Sequence, residues 1–154
     1  MNPVPVVLSK NLSRSIREGH PWIFRDALEG NPRIPNGALV ELRTREGKPV
    51  AIGFWDARSA IAVRLLRPGA LPELRAEVDA RLKAALKRRL EKVDLTRTNA
   101  FRWIHGEADR LPGIHVDLYD DVAVVRFDGD GAPVFPVAVP GNDVSPGNRS
   151  RSWR

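Results

Sequence analysis

The chain contains no cysteine among its 154 residues, which excludes disulfides, thiolate metal ligands and any thiol nucleophile. Its three histidines, His20, His105 and His115, are too dispersed for a zinc site, whose ligands come in closely spaced pairs, so no metal is expected. No run approaches the ~18 consecutive apolar residues of a spanning helix. The opening Met1-Asn2-Pro3-Val4-Pro5 lacks the basic-then-apolar order of a secretory signal. A cytoplasmic protein without a membrane partner is the expectation.

What is present is ordinary in amount and uneven in placement. Apolar residues at 42% and charged residues at 29% argue against wholesale disorder, and the length suits one ordinary domain or two very small ones. The net charge of +6 is concentrated early: residues 1–70 hold 11 basic against 6 acidic side chains, and residues 71–98 hold 8 against 5. Residues 99–132 reverse the sign, with 3 basic against 7 acidic. The first two-thirds is therefore the part suited to a polyanion. Arginine outnumbers lysine there, and its planar fork matches phosphate better than a point charge does.

The opening Val4-Pro5-Val6-Val7-Leu8 reads as a strand and Leu12 to Glu18 as a short helix stopped by Gly19, with Leu12 and Ile16 on its inner side. His20-Pro21-Trp22-Ile23-Phe24 is extended, and its aromatics look for a core. Further strands follow at Ala38 to Leu42, Val50 to Phe54 and Ser59 to Leu66, with a hairpin turn at Arg45-Glu46-Gly47-Lys48. Short strands joined by Gly/Pro turns make a small β-barrel or sandwich.

Composition changes at Leu71-Pro72. Leu74, Val78, Leu82, Leu86 and Leu90 recur every four residues, predicting a long helix with Pro72 in its first turn. Lys87, Arg88, Arg89 and Lys92 gather near its end, where the helix dipole favours cations. Phe101 to His105 leads to a Leu111-Pro112-Gly113 turn and a second hairpin, Ile114 to Tyr119 with Val122 to Phe127, in which Asp117, Asp120 and Asp121 read as hairpin residues. Residues 132–154 lack either period, and a disordered or non-native tail is expected there.

Three segments, in order, resemble a known family: the run from Lys10 through Glu18-Gly19-His20-Pro21-Trp22-Ile23-Phe24; Gly53-Phe54-Trp55-Asp56-Ala57-Arg58-Ser59 with Val63-Arg64-Leu65-Leu66; and Arg102-Trp103-Ile104-His105-Gly106-Glu107 through Leu111-Pro112-Gly113 to Val116-Asp117-Leu118-Tyr119. Together they are similar to the front of the bacterial 23S ribosomal-RNA cytosine-5 methyltransferases of the large-subunit methyltransferase I type. The resemblance spans roughly residues 6–131. Two positions depart from it: Arg110 stands where the family usually has glycine, and Leu118 where it usually has arginine.

The resemblance implies an α+β chain: a PUA-like RNA-binding β-barrel at 3–69, then a helix and β-hairpin module at 70–131. The family continues into a Rossmann-like domain that binds S-adenosylmethionine, and neither its glycine-rich loop nor its catalytic motif occurs here. No cofactor is expected in this chain. Methylating cytosine at C5 normally needs a cysteine thiolate to attack C6, so without cysteine this polypeptide alone is expected to be inactive. It reads as a truncated or frame-shifted methyltransferase-like protein that binds RNA, by the family 23S ribosomal RNA. The alternatives are a targeting subunit whose methyltransferase domain is a partner on another chain, and a nonfunctional remnant.

The candidate RNA contacts are Lys10, Arg14 and Arg17 around the first helix, with Arg58 and Arg64, as one positive face against phosphates. Solvated surface explains any single one of them equally well. His20 is a further candidate, with a structural hydrogen bond as its other reading. Trp22, Phe24, Phe54 and Trp55 offer stacking surfaces for bases, although core positions are expected for Trp22 and Phe24. His105, Glu107 and Asp109 invite an acid–base reading, against which stands a structural role in shaping the second module.

Overall fold

The computed structural model describes residues 2–70 and 73–129; the predicted tail at 132–154 lies outside these residues. In chain order the elements are β1 (Val4–Val7), α1 (Ser13–Arg17), β2 (Trp22–Phe24), a 3₁₀ turn at Arg25–Ala27, β3 (Leu39–Arg43), β4 (Pro49–Trp55) and β5 (Ile61–Pro68). There follow α2 (Leu74–Leu90), β6 (Ala100–His105), a second 3₁₀ turn at Gly106–Asp109, β7 (Ile114–Tyr119) and β8 (Val122–Phe127). The architecture is the expected α+β one.

The first five strands form one sheet in the order β1-β3-β4-β5-β2. Only β1 and β3 run parallel; the remaining pairs are antiparallel. The β3–β4 hairpin turns where predicted, with Gly47 at φ +80° and Thr44 N–H donating to the Lys48 carbonyl. The two edges of the sheet curl toward each other. Leu8 and Leu28 form an antiparallel bridge, with Ser9 N–H donating to Ala27 O and Glu29 N–H to Val7 O. These bonds close the sheet into a small barrel around Leu8, Ile16, Ile23, Val40, Leu42 and Val63. Closure pairs the chain just past β1 with the chain just past β2, while β2 itself remains an edge strand of the sheet.

β5 does not show the clean alternation expected of a half-buried strand, because residues 62–66 are buried throughout. One face looks into the barrel core. The other is covered by a second small cluster, Leu39, Ile52, Phe54 and Leu66, on which Leu74 of α2 packs. The helix begins at Leu74, after Glu73, whose carboxylate accepts the backbone N–H groups of Arg75 and Ala76. Pro72, expected in the first turn, lies outside the described residues. Glu73 serves because its side chain satisfies two of the N–H groups that every helix start leaves unpaired.

The other end of α2 lies on the second sheet, ordered β6-β7-β8 and antiparallel throughout. Val78, Leu82 and Ala85 pack against Trp103, Ile104, Val116 and Ala123, and the Trp103 indole N–H donates to the Leu82 carbonyl at 3.1 Å. Leu90, expected on this face, is exposed. A helix advances about 100° per residue, so each four-residue step overshoots a full turn by about 40°. Four such steps carry Leu90 round to the solvent side, and Ala85 fills the place nearest the sheet. Asp117 lies within β7, not at the turn; its carboxylate accepts two N–H groups of Arg102 on β6.

Candidate nucleic-acid interface

The short α1 exists because Leu12 and Ile16 pack on the barrel core while Arg14 and Arg17 face water. Gly19, at φ +95°, ends it, and His20 N–H donates to Ser15 O. The chain then doubles back as β2. Between α1 and β2 with its following turn lies a groove of about 640 Å³. Lys10, His20, Trp22, Phe24, Arg25 and Asp26 are among its walls, with Ser15 and Ile16 contributed by α1.

The walls combine aromatic surface with positive charge. Phe24 is 45% exposed, which corrects the expectation that it belongs to the core. β2 lies at the edge of the barrel sheet, and the side of Phe24 opens into the groove. Trp22 is half-buried, and its indole N–H donates to Glu107 at 3.1 Å. The His20 ring stands edge-on to Trp22 with centroids 6.4 Å apart, and its Nδ1 hydrogen-bonds the Trp22 carbonyl at 3.0 Å, the imidazole donating. Phe54 and Trp55, by contrast, are buried.

Lys10 meets Asp26 at 3.7 Å with both side chains largely in water, and Arg14 meets Glu18 at 2.8 Å on the outside of α1. Exposed pairs of this kind contribute little and are readily exchanged for another anion. Arg17 is exposed on the same helix. Arg58 is exposed in the loop after β4, a loop shaped by the buried Asp56 carboxylate, which accepts the N–H groups of Arg58 and Ser59 at 2.9 Å. Arg25 ties this loop to the groove rim: its guanidinium donates to Asp56 O and Ser59 O and lies 5.1 Å over the Trp55 ring.

Arg64 is set apart from the other five candidates. It is 8% exposed and its Nη1 donates to Glu107 at 2.6 Å, while Asp128 lies 3.6 Å from its Nη2. It belongs to the joint between barrel and second sheet, not to an exposed phosphate-facing surface. Sequence alternation placed it opposite Val63 and Leu65 but gave no sign that carboxylates 43 or more residues away would enclose it.

The His105, Glu107 and Asp109 segment is the second half of that joint. Burial pushes the Glu107 carboxyl up, and the N–H donors of Trp22 and Arg64 outweigh it, holding the group below its ordinary value. Burial likewise pushes Asp109 up, and Arg88, the His105 backbone N–H and Arg89 overcome it. Both carboxylates are fixed anions at neutral pH and point to different partners, so they shape the turn and do not form an acid–base pair. Arg88 and Arg89, read from sequence as dipole partners of the helix end, here ligate Asp109 at 2.7 and 2.6 Å.

Among the described residues no cluster of three or more acidic, histidine or cysteine side chains is placed to hold a metal ion, and no helix is long and apolar enough to cross a membrane.

A family profile described as a PUA-like domain matches residues 6–68. The chain is 38% identical over 130 residues to the ribosomal RNA large subunit methyltransferase I of Alteromonas mediterranea, an alignment covering 79% of this chain and 31% of that protein. It is 36% identical over 126 residues to the ribosomal RNA large subunit methyltransferase of Deinococcus radiodurans, covering 78% of this chain and 31% of the other. The chain thus spans about a third of the length of these relatives. Among solved structures, a protein from Streptococcus mutans described as a SAM-dependent methyltransferase superposes with a TM-score of 0.67 at 12% identity, over 83% of this chain and 34% of that one. Residues 6–68 are accordingly a PUA-like domain, and the chain carrying it is homologous, over about a third of their length, to the bacterial ribosomal RNA large subunit methyltransferases of type I.

Proposed function

We propose that the chain binds RNA, and ribosomal RNA in the first place, through the groove between α1 and β2. The observation that carries this reading is Phe24, a large aromatic ring held in water at the groove's edge beside Lys10 and His20, on a PUA-like domain. An unpaired base stacks there, and Lys10, Arg14, Arg17 and Arg58 hold the flanking phosphates. Such phosphate contacts orient a strand without reading its sequence. Residues 3–69 then act as the RNA-binding domain, and the helix and hairpin at 70–131 hold it in place through Trp22, Arg64 and Glu107. Methyl transfer and S-adenosylmethionine binding are assigned to the part of the relatives outside the match, in keeping with the absence of cysteine from these 154 residues.

Phe24→Ala is the test. Stacking of a base on an aromatic ring contributes about 1–3 kcal/mol, so affinity for a fragment of 23S ribosomal RNA containing unpaired bases is expected to fall at least fivefold, with the thermal midpoint unchanged because the ring is exposed. Unchanged affinity overturns the stacking groove.

A second reading, a targeting part that works against a methyltransferase domain, draws support from the outer face of the second sheet. There Tyr119 and Val124 are 53% and 46% exposed, with Val122 opposite Tyr119 in register. Co-purification of a methyltransferase-domain partner, lost on Val124→Asp, is the expected outcome of that reading.

A further inference from the structure

A second groove lies where the end of α2 meets β6 and the turn after it. It measures about 550 Å³ and is lined by Arg88, Arg89, Arg102, His105, Asp109 and Asp117. Three guanidinium groups in one depression repel each other unless something fixes them, and here two carboxylates do. Asp109, 4% exposed, accepts Arg88 through one oxygen and Arg89 through the other, with the His105 backbone N–H as a third donor. Asp117 accepts Nε and Nη2 of Arg102, and Nη1 of Arg102 lies 3.1 Å from His105 Nδ1. Because arginine always donates, this contact places the imidazole proton on Nε2 as a further donor.

The bracing leaves donors over. Among the described residues Arg88 spends only Nη2 on Asp109, so its Nε and Nη1 keep their N–H groups; Arg89 uses Nε on the Arg102 carbonyl and Nη2 on Asp109, so its Nη1 remains. Arg88 is half exposed, whereas the Asp109 side chain is 2% exposed. An incoming anion therefore meets the guanidinium edges and not the carboxylate behind them. Arg126, opposite His115 on the neighbouring strand, adds a cation to the same sheet face. Three arginines against two carboxylates leave positive charge in the groove, although residues 99–132 are acidic overall.

We propose that this groove is a second phosphate site, which takes a phosphodiester of the RNA strand whose bases occupy the α1–β2 groove. It rests on the RNA-binding reading above and extends it onto the helix and hairpin module. The two sites share one rigid support: the 3₁₀ turn Gly106–Asp109 sends Glu107 to Trp22 in the first groove and Asp109 to Arg88 and Arg89 in the second. Arginines pre-positioned in this way lose less freedom on binding than free side chains do.

The experiment compares RNA binding against salt for the unaltered chain, Arg88→Ala and the double variant Arg14→Ala/Arg17→Ala. Arg88→Ala leaves Asp109 paired with Arg89 and the His105 N–H, so folding, followed by circular dichroism, is retained. Expected is a loss of affinity of roughly threefold to tenfold at low salt, with the slope of log affinity on log salt shallower by about 0.7, the loss of one phosphate contact. In parallel, titration with inorganic phosphate is expected to shift the Arg88 and Arg89 Nε–Hε signals in the NMR spectrum. If the double variant weakens binding while Arg88→Ala leaves affinity and slope unchanged, the second site is overturned and the first stands. Shifts with inorganic phosphate but an unchanged RNA slope reduce the groove to a small-anion site and overturn it as an RNA contact. No salt-dependent binding by the unaltered chain overturns both.

Discussion

Two backbone positions carry constraints that their side chains do not advertise. Gly53 has an ordinary strand conformation, yet a Cβ there would lie 2.6 Å from both the Arg64 carbonyl oxygen and Val63 Cγ1. It stands at the irregularity between β4 and β5, where one backbone closes on the other. Arg110 is the reverse case, with φ +58° in the left-handed region and its carbonyl accepting an N–H of Arg81. A side chain is strained there by about 1 kcal/mol or more, and the Arg110 charge also opposes Arg81. Gly53→Ala is expected to cost about 2–4 kcal/mol in urea unfolding, and Arg110→Gly to gain up to about 1 kcal/mol after the entropy of the extra glycine. A destabilised Arg110→Gly would show that the strain is absent. The sequence made Arg110 visible, because it departs from the glycine of the resembling family. The crowding at Gly53 was not visible, since a glycine inside a strand pattern does not reveal which backbone approaches it.

At the scale of elements, hydropathy period located nearly every strand and both helices, because each has one face that must leave water. It misplaced what depends on neighbours. β5 is buried on both sides, on one by the barrel core and on the other by a cluster that Leu74 of α2 joins, a contact that alternation cannot signal. In α2 the four-residue repeat promised Leu90 to the core, and the helical advance turned it away. Leu82→Ala is therefore expected to cost about 2–5 kcal/mol by opening a cavity between α2 and the second sheet. Leu90→Lys should fall within about 0.5 kcal/mol of the unaltered chain. Thermal unfolding of the pair checks this, and equal destabilisation would mean that Leu90 packs after all. The edge position of β2 escaped sequence reading too, which is why Phe24 was assigned to the core: an aromatic in a short apolar strand looks the same whether it faces the barrel or a groove.

For the whole molecule, charges that were only a tally in the sequence become the joint between its two sheets. Lys10, Arg14, Arg17 and His20 were legible as neighbours because they are close along the chain. The Arg64–Glu107 and Arg88/Arg89–Asp109 pairs were not, because they join segments about 20 to 43 residues apart. This joint makes stability depend on pH in a definite sense. Glu107, Asp109 and Asp117 are all held below their ordinary values, Asp117 chiefly by its hydrogen bond with Arg102. As pH falls the unfolded chain takes up protons first. The contribution of these carboxylates is thus complete above the unfolded value of about 4 and is lost as pH drops through the folded ones. His115 is pushed down by burial, then by Arg126, Arg102 and His105, so the unfolded state also gains a proton first below about pH 6.5. The urea midpoint is expected to ease downward below about pH 6.5 and to fall steeply below about pH 4. Glu107→Gln, which keeps an acceptor for Trp22, should make the steep limb shallower. A midpoint that rises between pH 7 and pH 5 contradicts this balance.

A positive, aromatic-edged groove on the PUA-like barrel is proposed to hold RNA by its phosphates. The most direct measurement is the affinity of the chain for a 23S ribosomal RNA fragment, and for a random RNA of equal length, across a salt series. Four phosphate contacts, by Lys10, Arg14, Arg17 and Arg58, contribute about −3 to the slope of log affinity on log salt, and the Arg88 site about −0.7 more. Both RNAs should show the slope, with tighter binding to the ribosomal fragment wherever base stacking adds to it. An affinity that does not change between low and physiological salt contradicts the claim.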